Sequence, residues 1–394
     1  MILSYLIWDA LPEFFQFPDF IPLLGGRPVR YYGLLFALGF IISQQIMFYI
    51  YRKEGKPERD VETLTVFMVV ATIIGARLGH VLFYEPEKYL SHPLEILKIW
   101  EGGLASHGAA FGILFALWLY SKYDIHFEGI KPVFKPVKRK GQSYLQVVDR
   151  IVIVVALTGC LIRFGNFMNS EIYGKPTGSD YGVVFAKDMR QFLERPSLTG
   201  IEDVDFRKME DKAASEEGYQ PVVMEMTYAR QEGVNNEEAA RRFLDNNIPR
   251  YFSDPRYGFI QEHFQYDESL YRDASVKTLS DGRIRSEAPL YGITRHPTQL
   301  YESATSLMIF ILLFFIWTQY KERLPEGLLL GLFLILLFGL RFVHELFKEN
   351  QVAFEDEMTL NMGQILSIPL IIAGIFILLR ALKRGKEPAS AQDK

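Results

Sequence analysis

Apolar residues gather in long runs along this chain instead of alternating with polar ones. Seven stretches have about the 18 predominantly apolar residues that an α-helix needs to cross a bilayer core. They are Gly33–Ile50, Leu64–Tyr84, Gly103–Tyr120, Ile151–Asn169, Ser303–Tyr320, Gly327–Val343 and Leu360–Leu379. A soluble domain does not bury seven such helices, so the pattern predicts an all-α polytopic membrane protein with seven transmembrane helices. Between the fourth and fifth runs the text turns polar: residues 187–290 hold 36 of the chain's 90 charged residues. That is expected of a solvated extramembrane insert, within which 235–247 reads as a helix with Asn236 as its N-cap.

The remaining parts are an N-terminal lead (1–30) and a short polar tail. Phe14, Phe15, Phe17 and Phe20 suit the lead to the membrane interface. The expected division is 1–186 (lead and helices one to four), 187–290 (insert), 291–382 (helices five to seven) and 383–394 (tail).

Orientation follows from the basic residues of the short loops. Segments 52–63, 121–146, 321–325 and 380–394 carry 17 Lys and Arg, whereas 1–30, 85–102 and 344–359 carry 5. By the positive-inside rule the N-terminus and the insert lie outside and the C-terminus lies in the cytoplasm. The first residues lack a basic n-region, so no cleavable signal peptide is expected.

Composition narrows the chemistry. A hydrophobic share of 49% and a net charge of −4 average over two dissimilar populations and leave no basic footprint for nucleic acid. A single cysteine, Cys160, excludes an internal disulfide and a Cys-based metal or redox centre; mid-span among apolar neighbours, it reads as structural. No glycine-rich nucleotide loop appears, and His344-Glu345-Leu-Phe-Lys348 is not HExxH, so neither cofactor nor metal is expected.

Within the seven runs the formally charged side chains are Arg77, Arg163 and Arg341. Each costs roughly 2.5–3.5 kcal/mol at a helix centre, so they should face a bundle interior or the water boundary. With the orientation above, they share one outward layer with Asn166, His107, Tyr32 and Arg295. The layer is net positive, which suits an anion held at the outer leaflet. A lipid phosphate fits, because guanidinium forks give phosphate two directed bonds.

These residues also carry a resemblance. The stretch Arg163-Phe-Gly-Asn166-Phe-Met-Asn169-Ser-Glu171-Ile-Tyr-Gly174 resembles the signature segment of the bacterial prolipoprotein diacylglyceryl transferases. Tyr31-Tyr32-Gly33, Gly75-Ala-Arg77-Leu-Gly79, Gly102-Gly-Leu-Ala-Ser-His107-Gly108, Arg295-His-Pro-Thr-Gln-Leu-Tyr-Glu302, Arg341-Phe-Val-His-Glu345 and Met362-Gly-Gln-Ile-Leu-Ser367 agree in the same order. The chain departs at Leu337, where a tyrosine is frequent, at Ser170, where glycine is common, and at Ala105-Ser106, where a bulkier residue often precedes the histidine. Gly174 and Arg295 are 121 positions apart, longer than the resemblance leads one to expect.

The resemblance implies an inner-membrane enzyme without a cofactor. Its substrates would be phosphatidylglycerol and a prolipoprotein signal peptide with a lipobox cysteine, met among membrane lipids, and its product besides the lipidated thiol would be glycerol phosphate. It implies His107, Arg163 and Arg341 as the catalytic set: His107 to take the thiol proton, the arginines to stabilise the leaving phosphate. Tyr32, Arg77, Asn166, Glu171, Gly174, Arg295 and Glu345 would join Arg163 in binding substrate. The alternative from another class is a transporter or flippase for an anionic lipid, with the same arginines as a binding site.

Overall fold

The structure is a computed structural model that describes residues 5–21, 25–98, 103, 105–128, 131–195, 199–229, 236–349, 355 and 358–384. The polar tail beyond Arg384, together with Gly102 and Leu104 of the third motif, lies outside the described residues.

The long helices are α1 (Tyr31–Lys53), α2 (Glu58–Phe83), α4 (Ser106–Lys122), α5 (Tyr144–Met168), α10 (Thr298–Tyr320), α11 (Leu328–His344) and α12 (Met362–Arg384). Six of these positions, all but α4, are long and apolar enough to cross a membrane, as expected of a multi-pass membrane protein. The third run comes out shorter than drawn: α4 has 17 residues and starts at Ser106. Gly103 adopts a left-handed φ of 69°, and the N–H of Ala105 is given to the Ala76 carbonyl of α2, 2.9 Å away. Short helices α3 (Pro86–Ser91), α6 (Lys187–Leu193), α8 (Gly258–Gln261) and α9 (Glu268–Tyr271) sit between the longer elements.

The chain forms two compact units, each assembled from separated segments. One comprises Leu35–Ile162, Ser303–Phe342 and the chain from Met362 on. Its core packs Met47, Leu64, Leu117, Val148, Leu313 and Phe333. A buried ion pair locks it: Arg150 reaches Glu54 through Nε at 3.0 Å and Nη2 at 2.8 Å, and Trp317 Nε1 donates to the same oxygen at 2.8 Å. Asp149 accepts the N–H groups of Gly327 at 2.7 Å and Leu330 at 2.8 Å, which places a carboxylate on the positive end of α11. The helices therefore run past the apolar runs and carry further charges at their ends, Asp149, Arg150 and Glu302 among them, besides the three expected arginines. The count of three charges holds for the runs and not for the helices.

The other unit comprises the chain up to Leu34, Arg163–Glu302 and Val343–Asn361. Here the all-α expectation needs correction. An antiparallel sheet joins β10 (Ser275–Thr278), β11 (Ile284–Gly292), β8 (Gln220–Tyr228) and β7 (Ile201–Lys208) in that order, and β9 (Phe264–Gln265) pairs with β11. Helix α7 (Glu237–Ser253) packs on β11 and β10, its Ala240, Leu244 and Ile248 sharing one core with Val222, Met224 and Met226. Its predicted cap is present: Asn236 Oδ1 accepts the Ala239 N–H at 2.8 Å. A search for runs of 18 does not see strands of eight or nine residues set among charges.

The lead is structured too. Strand β1 (Leu6–Trp8) pairs in parallel with β6 (Val183–Phe185), and β2 (Glu13–Gln16) forms a hairpin with β3 (Pro28–Arg30) that exposes Phe14 and Phe15. In the other unit, β4 (Tyr123–Glu128) and β5 (Lys131–Pro136) form a hairpin after α4.

Candidate active site

The signature segment leaves the end of α5 as a tight turn. Ser170 has φ 53° and Ile172 φ 57°, left-handed values that cost non-glycine residues of order 1–3 kcal/mol each and are outliers for a β-branched side chain. The turn persists because its peptide groups are taken one by one. Glu171 N–H donates to the Asn166 carbonyl (3.0 Å), Gly174 N–H to that of His296 (2.9 Å) and Lys175 N–H to that of Phe347 (2.8 Å). The Glu171 carbonyl accepts from Gln299 Nε2 at 2.6 Å and the Ile172 carbonyl from the Thr298 hydroxyl at 3.0 Å.

The motif from Arg295 to Glu302 is thus the frame of the signature turn. Gly174 is required by close approach: a Cβ there would stand 2.5 Å from the Phe347 oxygen and 2.7 Å from His296 Cβ. Gly165, one turn from the end of α5, likewise lets Tyr32 come near, its Cα 3.0 Å from where a Cβ would be.

Polar side chains of this unit form one series of alternating sign. Arg163 Nε lies 2.7 Å from Glu302 Oε2. Lys348 Nζ bridges Glu302 Oε1 at 2.5 Å and Glu345 Oε1 at 3.0 Å, and Asn361 Nδ2 donates to the other Glu345 oxygen at 3.2 Å. On the opposite side Asn166 accepts a long 3.5 Å contact from Arg163 Nη1 and passes 3.4 Å from Glu171 Oε2. Asn169 donates to Glu171 Oε1 at 3.1 Å.

Glu302 and its two cations are close but poorly aligned for directed hydrogen bonds, so charge holds them. The expected layer named no acid; within this unit the carboxylates Glu171, Glu302 and Glu345 stand in series with Arg163 and Lys348. Arg295 is buried and its guanidinium is engaged: Nε and Nη2 reach the Glu262 carbonyl at 3.1 and 2.7 Å, and Nη1 reaches the Gly174 carbonyl at 3.1 Å and Glu349 at 2.6 Å.

In the second unit, α2 and α4 cross on glycine. Gly75 and Gly79 face Gly108 and Gly112; a Cβ on Gly108 would stand 2.2 Å from the Gly75 oxygen and 2.7 Å from Gly79 Cα. This is the small-residue crossing used between helices in lipid. It lets buried Arg77 donate to three carbonyls, Glu95 at 2.6 Å, Ile96 at 2.8 Å and Gly103 at 3.2 Å, with its guanidinium 4.9 Å from the Tyr89 ring. Arg77 thereby ties Gly103 to α2, four residues before His107, which stands exposed in the first turn of α4. Arg341 is half-buried near the end of α11.

A family model described as prolipoprotein diacylglyceryl transferase matches residues 18–380. The chain belongs to the prolipoprotein diacylglyceryl transferase family. Proteins named phosphatidylglycerol–prolipoprotein diacylglyceryl transferase are similar to it over nearly their whole length. That of Tolumonas auensis is 32% identical over 378 residues, 96% of this chain and 98% of the relative. That of Chloroherpeton thalassium is 30% identical over 386 residues, 97% of each, and that of Porphyromonas gingivalis 31% over 386 residues, 96% of each.

The matched range spans 187–290, and the relatives above are covered over nearly their whole length as is this chain, so they have room for a region of comparable length. Among the predicted residues, Arg163, Asn166, Glu171, Gly174, Arg295, Glu345 and Tyr32 fall in one compact unit, and Arg77, His107 and Arg341 in the other. Sequence reasoning missed Glu302 and Lys348. Glu302 stands one residue before the fifth run as drawn and Lys348 a few residues past the sixth, so neither falls among the charges inside the runs. A partly buried arginine calls for a counter-charge, and an acid five residues into the helix that follows the Arg295 motif was the signal available.

Proposed function

We propose that this chain is a transferase that moves the diacylglyceryl group of phosphatidylglycerol onto a prolipoprotein, with the lipobox cysteine thiol as acceptor and glycerol phosphate as leaving product. The supporting observation is the near full-length family match together with the ion series that its signature segment builds around Arg163. The bond from sulfur to the glycerol carbon forms as the bond from that carbon to the phosphate oxygen breaks. His107 takes the thiol proton, since a thiol with a pKa of about 8.5 is mostly protonated at neutral pH.

Arg163 and Arg341 stabilise the charge that gathers on the leaving phosphate. Asn166 and Tyr32 orient headgroup oxygens, Glu171 and Glu345 take glycerol hydroxyls, and Gly174 admits the substrate close to the backbone. Arg77 and Arg295 serve the substrate through the segments they hold.

In this reading α4 is the third of seven crossings and the sheet-bearing insert lies between crossings four and five. Domains divide at 186, 290 and 382, with the N-terminus and insert outside the inner membrane and the C-terminus in the cytoplasm. The loop charges support that orientation. A transporter or flippase for an anionic lipid is not favoured. The test is to incubate purified protein with phosphatidylglycerol and a lipobox peptide and to weigh the peptide. A gain of one diacylglyceryl group on cysteine supports the reading; an unchanged mass overturns it. Undiminished transfer by His107→Ala would overturn the role given to that residue alone.

A further inference from the structure

We propose that Tyr173 and Glu262 are positioning residues for the transfer reaction, through which the insert holds the signature turn in its working shape; this rests on the transferase reading above. Tyr173 stands between left-handed Ile172 and close-packed Gly174, and its ring leaves the turn for the insert. It lies 4.8 Å from the His263 ring and 5.5 Å from that of Phe185, with the Arg295 guanidinium 5.0 Å from its centre. The hydroxyl donates to Glu262 Oε2 at 2.6 Å.

The contacts close into a ring. Glu262 gives its carbonyl to Arg295, and Arg295 donates to the carbonyl of Gly174, the residue after Tyr173. The seat is fixed in the sheet, because the His263 carbonyl accepts the Ile293 N–H at 2.8 Å and Phe264 pairs with Gly292. Burial raises the Tyr173 hydroxyl above its ordinary range, and Glu262 adds to this, so the hydroxyl stays a donor.

The mechanical reason for such an anchor is the strain beside it. Two left-handed non-glycine residues so close together, Ser170 and Ile172, relax unless the surroundings over-determine them. Four carbonyl and amide contacts hold the turn from the Arg295–Gln299 side, and Tyr173 is its side-chain plug into the insert. If the plug loosens, Glu171, two residues upstream, loses its alignment with Asn166 and Asn169. Neither Tyr173 nor Glu262 touches reacting atoms in this scheme; they act through Glu171 and Gly174.

The test uses the full-length protein in mixed micelles of phosphatidylglycerol with a lipobox peptide, comparing Tyr173→Phe, Glu262→Ala, Glu262→Gln and the double variant Tyr173→Phe/Glu262→Ala. Loss of one hydrogen bond to a charged group predicts about a ten-fold fall in kcat for Tyr173→Phe and Glu262→Ala. The peptide KM and the melting midpoint should be unchanged, and the double variant no slower than either single one. Glu262→Gln, which keeps an acceptor, should recover most of the rate. Wild-type kcat in all variants, or a rate loss that tracks loss of folded protein, overturns the positioning role. An inactive wild type would instead sink the transferase reading.

Discussion

Arg163 and Arg77 both interrupt apolar helices, yet different chemistry satisfies them. Arg163 lies 2.7 Å from the Glu302 carboxylate, which Lys348 shares. Arg77 spends its N–H groups on the carbonyls of Glu95, Ile96 and Gly103 and packs against Tyr89. The difference bears on function. A guanidinium held by an ill-aligned carboxylate can exchange it for a phosphate of the same sign, whereas one whose fork is spread over three backbone carbonyls is fixed in place and fixes them. The first is suited to a substrate that comes and goes, the second to shaping the wall that presents His107.

The sharpest way to break this comparison is Arg163→Gln. It takes from Glu302 one of its two cations and removes the proposed phosphate partner; transfer per folded molecule should fall by more than about 100-fold, and Arg163→Lys should fall less. Half the wild-type rate in Arg163→Gln would end the exchange idea. Next comes Arg77→Gln, which strands three carbonyls and should destabilise by roughly 3 kcal/mol. That would appear as a lower melting midpoint in detergent, with the phosphatidylglycerol KM of the remaining folded protein unchanged. A raised KM at an unchanged midpoint would place Arg77 beside Arg163 as a substrate residue. Gly108→Val tests the same wall from the packing side: its Cβ meets the Gly75 oxygen, so a loss of about 1–3 kcal/mol is expected by thermal unfolding.

The effect that vanishes at neutral pH, and so ranks last there, is one of titration. Arginines do not titrate in the accessible range, but His263 under the signature turn does. Burial, with Arg295 and Lys187 nearby, lowers its pKa to about 3. The folded state keeps this histidine neutral while the unfolded chain protonates it below about 6.5. Its contribution to stability is therefore whole above that pH and lost as pH falls from about 6.5 toward 3, at up to about 1.4 kcal/mol per unit. Asp254, held down to about 2 by Arg256, loses its own contribution only below about 4. Unfolding of His263→Phe should lack the upper part of the slope and keep the lower.

Six of the seven apolar runs emerge as helices long and apolar enough to cross a membrane, because length and hydropathy are local properties that need no partner. The insert was legible as a separate polar region and in its Asn236 cap, but not as a sheet. Strands such as Ile201–Lys208 depend on distant neighbours: Ile201 pairs with Tyr228, and Arg207 reaches Glu287, 80 positions on, at 3.8 Å. The site was legible as a list of residues. Its ion pairing was not, since Glu302 meets Arg163 from 139 residues later in the chain and Lys348, which shares Glu302, comes 185 residues later.

What the sequence determined by itself was the set of membrane runs, the charge bias of their loops and the family motifs, each carried by neighbouring residues. Tertiary structure alone decided how those residues are paired. It turned Arg295 into a clamp on Gly174, made the glycines of α2 and α4 a contact surface, and offset Arg163 with carboxylates. The reason is physical: a helix can form on its own text, but a buried charge is stable only beside the group that folding brings to it.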